Sequence, residues 1–404
     1  MDERVKHTQA VLLSMLLDTI IFKCNQKPEA RNIGAQGIAN LLWAMAKLVD
    51  NRQEQTPELK EAVAVLLPHM NAQKDHFIPQ QTANLLWAMA KLVDKGLQQT
   101  PGLKKAVAAL LPHVHANKAN FTPQAIAKLL WAMAKLVENG KWTPGLKEAV
   151  ATLLPYVNPQ KAQFDPQQVA NLLWAMAKLG ELVELHVVTS TFESFLCRFS
   201  DNPQLSQQFI LMFLWGVMVC CARLSLAPNA IKKITCLKST WMTCLLAWKI
   251  HPRTMKRINA PLPCIAMAAS WLGRACPIVP YYQTTISKPQ ADFCDQLQSC
   301  MPSLKIEQEK SLNSLPPVDL LLSEHNMVVE IQGPSHYVSN DFKIRNGSTL
   351  LKIALLQRSG FEVIEIPANQ LCSQNSMKLC IDQIKTRLDI PPQGMAVHHL
   401  TSDR

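Results

Sequence analysis

Four kinds of side chain recur at fixed spacing in the first half of the chain, and together they have the chemistry to bind a nucleic acid. In each copy a glutamine, an asparagine or lysine, a tryptophan and a lysine follow one another at intervals of four, three and four residues. Amides can hydrogen-bond to base edges, an indole ring can stack on a base, and an ammonium group can meet a phosphate. The four sets are Gln36, Asn40, Trp43 and Lys47; Gln80, Asn84, Trp87 and Lys91; Gln124, Lys128, Trp131 and Lys135; and Gln167, Asn171, Trp174 and Lys178.

This spacing places the four side chains of each copy on one face of a helix. At about 100° per residue they fall within roughly 60° of one another, while leucines and a methionine crowd the opposite face. Each role has a structural alternative. The tryptophan either stacks on a base or packs between helices, and the lysine either meets phosphate or lies on a solvated face. The glutamine either contacts a base or satisfies free amides in the first helical turn.

The helix that carries these residues belongs to a longer repeat. The words NLLWAMAKL, NLLWAMAKL, KLLWAMAKL and NLLWAMAKL place their tryptophans 44, 44 and 43 residues apart. A fixed period in the range of about 20–50 residues is typical of stacked units that cannot bury their apolar faces alone. The sequence therefore predicts an α-solenoid. Because solenoids also bind proteins, a protein–protein scaffold remains an alternative to a nucleic-acid binder.

Each repeat is predicted to contain two helices. The first opens with Thr-Pro, where threonine suits the N-cap and proline the first helical position, and it ends near a proline. These pairs are Thr56-Pro57, Thr100-Pro101 and Thr143-Pro144, and the closing prolines are Pro68, Pro112 and Pro155. The second helix opens with Phe-x-Pro-Gln, and in one copy Gln168 is expected to complete a capping box with Asp165.

The repeats give way to other patterns along the chain. We expect helical repeats over residues 1–185 and degenerate helical repeats over 186–285, which include a decayed copy around Trp215. A small α/β domain is expected over 286–390, followed by a tail at 391–404. Within 286–390 the pattern predicts helices at 289–300, 347–359 and 375–388, and strands at 304–306, 316–322, 327–333 and 361–367.

Composition favours an anionic partner in a reducing compartment. The chain has 41 Lys and Arg against 30 Asp and Glu, a net charge of +11. Its 12 cysteines form no CxxC pair, so neither a zinc site nor a disulfide framework is indicated. The first residues lack the pattern of a secretory signal or transit peptide, and no apolar run is long enough to cross a membrane. We therefore expect a cytoplasmic location and no membrane contact, with delivery into another cell left open.

Residues of the last part of the chain resemble a known module. Val318-Asp319, the run VVEIQGPSHY at 328–337 and the run GFEVIEIP at 360–367 are similar to a RAP domain, as found at the C-terminus of FAST-kinase-like and octotricopeptide-repeat proteins. The helix-pair array also resembles octotricopeptide repeats, although its period is longer than that family's usual unit. The resemblance implies an RNA-binding protein that acts in RNA processing, stability or translation.

The resemblance also implies a fold and a set of site residues. RAP domains are similar to the restriction-endonuclease-like fold, in whose active members an Asp and a Glu hold a divalent cation and a Lys helps to activate water. On this chain Asp319 and Glu330 match the metal positions and would hold Mg2+ or Mn2+. Gln332 stands where the catalytic lysine would lie, Lys352 is a candidate to replace it, and His336 could orient a phosphate or a water.

Whether this domain catalyses a reaction stays open at this point. The alternatives are RNA binding without catalysis and a metal-dependent endoribonuclease, and Asp319 and Glu330 could instead only cap the ends of strands. The expected architecture is an α-solenoid with a period of about 44 residues, followed by a small restriction-endonuclease-like domain. Its expected partner is single-stranded RNA, with protein partners left open.

Overall fold

The computed structural model of the protein describes residues 3–26, 33–52, 56–138, 145–158, 160, 163–191, 207–227, 266–267, 270–271, 281–282, 284–312, 315–338 and 342–388. Most of the predicted degenerate repeats beyond residue 227, the Thr143-Pro144 pair and the tail at 391–404 lie outside these residues. The first part contains α1 (Glu3–Gln26), α2 (Ala35–Arg52), α3 (Pro57–Ala72), α4 (Pro79–Asp94), α5 (Pro101–Ala116), α6 (Pro123–Glu138), α7 (Leu146–Leu153), α8 (Pro166–Leu179), α9 (185–191) and α10 (Gln207–Leu226). The second part contains α11 (Lys288–Cys300), β1 (Glu307–Lys310), β2 (Val318–Leu322), β3 (Met327–Gln332), α12 (Gly347–Arg358), β4 (Glu362–Pro367) and α13 (Gln374–Leu388).

The predicted capping residues begin the helices. The hydroxyls of Thr56 and Thr100 accept hydrogen bonds from the backbone N–H of the third helical residue at 3.3 and 3.2 Å. The capping box is also confirmed: Gln168 N donates to Asp165 Oδ1 at 2.7 Å, and Asp165 N donates to Gln168 Oε1 at 3.3 Å. These bonds satisfy amides that a helix N-terminus leaves without an intrahelical acceptor.

The ends of two helices differ from the prediction. α3 and α5 do not end at Pro68 and Pro112 but continue to Ala72 and Ala116. A proline near the end of a helix removes one hydrogen bond to the carbonyl four residues earlier. These carbonyls belong to Ala64 and Ala108, neither of which is buried, so water can satisfy them and the helix continues. Pro155 does lie just past the end of α7, in a 3-10 turn at Leu154–Tyr156.

The helices of the first part pack in two rows. α2, α4, α6, α8 and α10 each contact the next of these helices, and we call them the Trp row because each carries one tryptophan of the motif or of its decayed copy. α1, α3, α5 and α7 contact one another in the same order and form the companion row. Ala88, Ala132 and Ala175 are fully buried in the Trp row, where a small side chain lets helices approach closely. None of the helices that the structure describes is long and apolar enough to cross a bilayer.

The second part is a mixed sheet covered by helices. The strand order is β1-β2-β3-β4, with antiparallel pairs except for β3 and β4, which are parallel and joined through α12. All six residues of β3 are buried, as expected for a strand with both faces covered. The first predicted strand, 304–306, is wrong in position, because the observed β1 is Glu307–Lys310. This edge strand has the sequence EQEK and no apolar pattern that could have revealed it.

The sheet domain is joined to the end of the helical array. α12 packs against both α10 and α8. Gly347, the first residue of α12, lies so close that a Cβ there would stand 1.9 Å from the carbonyl oxygen of Ala177. At Gly180, whose φ is +52°, a Cβ would stand 2.2 Å from the carbonyl oxygen of Arg345. Two glycines thus permit a backbone-to-backbone contact between array and domain.

Candidate nucleic-acid interface

Tryptophans and lysines form a continuous stack along the Trp row. The ring centroids of Trp87 and Trp131, Trp131 and Trp174, and Trp174 and Trp215 are 6.4, 6.1 and 6.3 Å apart. Each lysine of the motif reaches across to the tryptophan of the next helix. The Nζ atoms of Lys47, Lys91, Lys135 and Lys178 lie 5.1, 5.3, 4.6 and 4.8 Å from the ring centroids of Trp87, Trp131, Trp174 and Trp215. We call this arrangement the Trp–Lys ladder; its contacts have the geometry of cation–π interactions.

The ladder bears on the two interpretations of the tryptophans. Trp131 and Trp174 keep only 7% and 8% of their surface exposed, and neighbouring indoles and lysines lie against them. This arrangement favours packing between helices for these two rings, since little of either remains for a base. Trp43, on the first helix of the row, is 40% exposed. Base stacking by the tryptophans stays a prediction, and Trp43 is the ring best placed for it.

The glutamines of the motif lie at the start of four helices of the Trp row, α2, α4, α6 and α8. Gln36, Gln80, Gln124 and Gln167 are all exposed, which leaves their amides accessible to a ligand. One turn further on, Asn40 is exposed, whereas Asn84, Lys128 and Asn171 are partly buried. Lys128 Nζ donates a hydrogen bond to Asn84 Oδ1 at 3.2 Å, so the residues at the second position of the motif are bonded to each other across α4 and α6. The structure therefore brings the predicted amides and cations to one side of the row.

One acidic residue that the motif analysis missed contacts the ladder. Lys135 forms an ion pair of 2.8 Å with Asp94, which is the last residue of α4. Asp94 belongs to a series of acids that each stand three residues after a lysine of the motif; the others are Asp50, Glu138 and Glu181. This acid series recurs with the repeat, and that recurrence was the available signal. The lysines of the ladder therefore pack against neighbouring helices of the array in addition to supplying positive charge.

The predicted site residues of the sheet domain converge on one side of the sheet. Asp319 on β2 accepts a hydrogen bond from the backbone of Ile331 at 2.6 Å through Oδ2. Glu330 on β3 is 2% exposed and pairs through Oε2 with Lys352 Nζ on α12 at 2.6 Å. Burial raises the pKa of the Glu330 carboxyl to about 7, against the opposing effect of Lys352. Burial likewise raises the pKa of Asp319. We call Asp319, Glu330 and Lys352 the carboxylate–lysine cluster.

Gln332 belongs to a neighbouring network that joins the domain to the array. Its Nε2 donates to Glu365 Oε2 at 2.8 Å, and Arg345 Nη1 donates to Glu365 Oε1 at 2.7 Å. Arg345 also binds Glu181 of the array, with Nη2 2.6 Å from Oε1 and its backbone N 2.9 Å from Oε2. No sequence pattern pointed to Arg345 or Glu365. We call Glu181, Arg345 and Glu365 the joint, because they link the array to the sheet domain. Gln332 is therefore held by a residue of the joint, Glu365, and not by Lys352.

His336 lies beside the carboxylate–lysine cluster as a neutral side chain. Burial, together with the nearby Lys352 ammonium, lowers the pKa of His336 to about 4. Its Nδ1 lies 3.4 Å from the hydroxyl of Thr349 on α12. The imidazole can therefore offer a hydrogen bond to a phosphate or a water near pH 7, but no positive charge.

The cluster fits a divalent cation only in part. Mg2+ prefers oxygen ligands and keeps several waters, so one or two carboxylates suffice. Glu330 Oε1 is buried and has no hydrogen-bond partner among the described residues, which leaves one oxygen for such a ligand. Its other oxygen is already neutralised by Lys352. Among the described residues no three His, Cys, Asp or Glu side chains are grouped to hold a metal, so water would have to complete the set.

Comparison with protein families identifies one domain in the chain. Residues 329–378, from β3 into α13, match the RAP domain. The match includes Glu330, Gln332, His336 and Lys352, while Asp319 lies before it. RAP domains are generally RNA-binding domains. Comparison with curated proteins finds no relative of the chain.

Proposed function

We propose that the chain binds single-stranded RNA along the Trp row and that the sheet domain adds contacts to the same strand. The observation that carries the proposal is the line of exposed glutamines on the same helices as the lysines of the ladder, in an array joined directly to a RAP domain. The net charge of +11 supports a polyanionic partner. Through this binding the protein would regulate the stability, maturation or translation of its RNA.

Finer features of the fold belong to the same proposal. We infer that the array is a solenoid of octotricopeptide type with a period of about 44 residues. The regular packing of the Trp row supports this inference. We also infer a restriction-endonuclease-like fold for the sheet domain, supported by the parallel β3–β4 pair with its helical crossover. In this proposal the glutamines contact base edges and the lysines contact phosphates.

Salt dependence tests the proposal directly. Because each lysine–phosphate contact releases a counterion, log Kd for a single-stranded RNA should change with log salt by about 0.7 per contact, or about 3 for four contacts. Fluorescence anisotropy of a labelled 20-nucleotide RNA between low and moderate salt measures this slope. A double-stranded RNA of the same sequence is the control and should bind more weakly, since its base edges are paired. Binding that does not respond to salt would contradict the proposal.

A metal-dependent endoribonuclease is the second candidate, favoured by the convergence of Asp319, Glu330 and Lys352. A bound Mg2+ or Mn2+ would be held by Asp319 and Glu330 and would supply Lewis-acid chemistry. Lys352 would favour the ionised form of the Glu330 carboxyl, against the burial that raises its pKa. If the domain is a nuclease, cleavage of a labelled RNA with Mn2+ should disappear in both Asp319→Ala and Glu330→Ala, while Glu324→Ala, an exposed acid of the same domain, should cleave normally. Product that persists in both cluster variants would remove this candidate.

A further inference from the structure

One copy of the motif differs from the others at a single position of the Trp row. The second position is asparagine in three copies, at Asn40, Asn84 and Asn171, and lysine at Lys128 in the other. In α10 the equivalent residue is Met212. The added cation stands on α6, in the middle of the row, where a ligand that follows the row would have to pass it.

Lys128 and Lys47 approach the same turn of α4 from opposite sides. Lys128 Nζ, from α6, is 3.2 Å from Asn84 Oδ1, and Lys47 Nζ, from α2, is 5.1 Å from the ring centroid of Trp87. Asn84 and Trp87 are three residues apart on α4 and so lie on the same helical face. Two ammonium groups therefore flank one amide and one indole ring.

The Lys47 ammonium is close enough to disfavour the charged form of Lys128. Burial lowers the pKa of Lys128, and the charge of Lys47 lowers it further. Within the described residues neither lysine forms an ion pair with a carboxylate, whereas Lys135 pairs with Asp94. The hydrogen bond to Asn84 engages one of the three donors of Lys128. An anion between the two lysines would offset the repulsion between their charges and accept hydrogen bonds from their remaining N–H groups.

We infer that Lys47 and Lys128 together bind one phosphodiester of the RNA over the Asn84–Trp87 turn, as the anchoring phosphate site of the Trp row; this rests on the proposed RNA-binding function. Among the described turns of the Trp row, the Asn84–Trp87 turn is the one that receives a lysine from each neighbouring helix. At Trp131 on α6, Lys91 comes from α4, but the residue of α8 that corresponds to Lys128 is an asparagine, Asn171. A strand held at this site would present its neighbouring bases to the exposed amides of Gln80 and Gln124.

Lys128→Asn tests the inference, since it restores the residue that the other copies carry. With a labelled random-sequence 20-nucleotide RNA as the probe, affinity should fall about tenfold and the salt slope by about 0.7, the value for one phosphate contact. Lys105→Asn removes an equal charge from an exposed position on α5 of the companion row and should change neither quantity. Lys128→Arg keeps the charge and should retain most of the affinity. Circular dichroism would verify that each variant folds.

A double substitution tests whether the two lysines share one phosphate. If they do, Lys47→Gln combined with Lys128→Asn should lower affinity by clearly less than the product of the two single effects. The inference would be overturned if the effects of the two single substitutions multiplied, or if Lys128→Asn bound RNA as tightly as Lys105→Asn. Either result would leave the proposed RNA binding intact. Absence of binding by the wild-type protein would instead refute the proposed function.

Discussion

Replacing Lys47, Lys91, Lys135 and Lys178 together by glutamate is expected to lower the affinity for single-stranded RNA at least 100-fold. Four phosphate contacts at about 1 kcal/mol each correspond to nearly 1000-fold, and the new carboxylates would also repel the backbone. Anisotropy titration with the labelled 20-nucleotide RNA measures the change. This variant also decides between an RNA binder and a protein scaffold, because unchanged RNA affinity would leave the scaffold as the better account.

The control must carry the same change of charge on the other side of the array. Lys60, Lys104, Lys105 and Lys147 lie on α3, α5 and α7 of the companion row, and their combined replacement by glutamate should change affinity far less. Because the ladder lysines also contact indole rings and Asp94, a quadruple lysine-to-glutamine variant removes the charge with less damage to packing. Thermal unfolding followed by circular dichroism would confirm that all three quadruple variants remain folded.

Gly347→Ala is expected to detach the sheet domain from the helical array. The added methyl group would stand 1.9 Å from the Ala177 carbonyl oxygen and 2.8 Å from a Val219 methyl, so helix α12 would have to move away. Overpacking of this kind costs about 1–3 kcal/mol and more where backbone atoms clash. The movement would also disturb the Arg345–Glu181 ion pair beside it. Limited proteolysis should release a C-terminal fragment that the wild-type protein retains, and urea unfolding should begin at lower denaturant.

Gly333→Ala is the matched control within the same domain. A Cβ at Gly333 would meet no atom within 4 Å, and its φ of −70° suits any residue. Its free energy of unfolding should change by less than about 0.5 kcal/mol. If Gly347→Ala were as stable and as resistant to protease as Gly333→Ala, the close contact between α12 and α8 would not hold the domain in place.

Local signals in the sequence located most of the secondary structure. The Thr-Pro pairs mark helix starts because the hydroxyl and the missing proline N–H both suit the first turn, whatever packs against it later. The strands β2 and β3 are visible because they are apolar and mostly buried, and β4 is visible because its buried Ile364 and Ile366 alternate with less buried residues. β1 is not visible, since an edge strand of charged residues needs only the backbone bonds that its partner supplies.

The environment of the tryptophans could not be obtained from one helix alone. On an isolated helix the tryptophan projects with the polar residues, which leaves both base stacking and packing between helices open. In the row, the next indole and the previous lysine fill the space around it, so Trp131 and Trp174 are more than nine-tenths buried. Such burial depends on the distance between neighbouring helices, which the small alanines set and which no single-helix projection contains.

The residues of the joint were also beyond prediction from sequence. Arg345 lies in a loop with no motif, and its partner Glu181 is 164 positions earlier in the chain. Their pairing exists only because α12 packs on α8 and α10. By contrast, the resemblance to a known domain named Asp319, Glu330 and Lys352, which do lie together, because such a resemblance carries three-dimensional information that local patterns lack; their role as a site stays a prediction.

The attachment of the sheet domain uses an acid that recurs along the array. Asp94 on α4 receives Lys135 from the following helix pair, and Glu181, the last acid of the same series, receives Arg345 from the sheet domain. The sheet domain is thus attached to the array by the same kind of bond, an ion pair with an acid of this series, that links α6 to α4. A gene duplication that adds a helix pair inside the array would leave this final attachment unaltered. Arrays of different length can therefore carry the same sheet domain. Under the proposed function, the length of RNA that an array covers would increase by the length of one helix pair at a time.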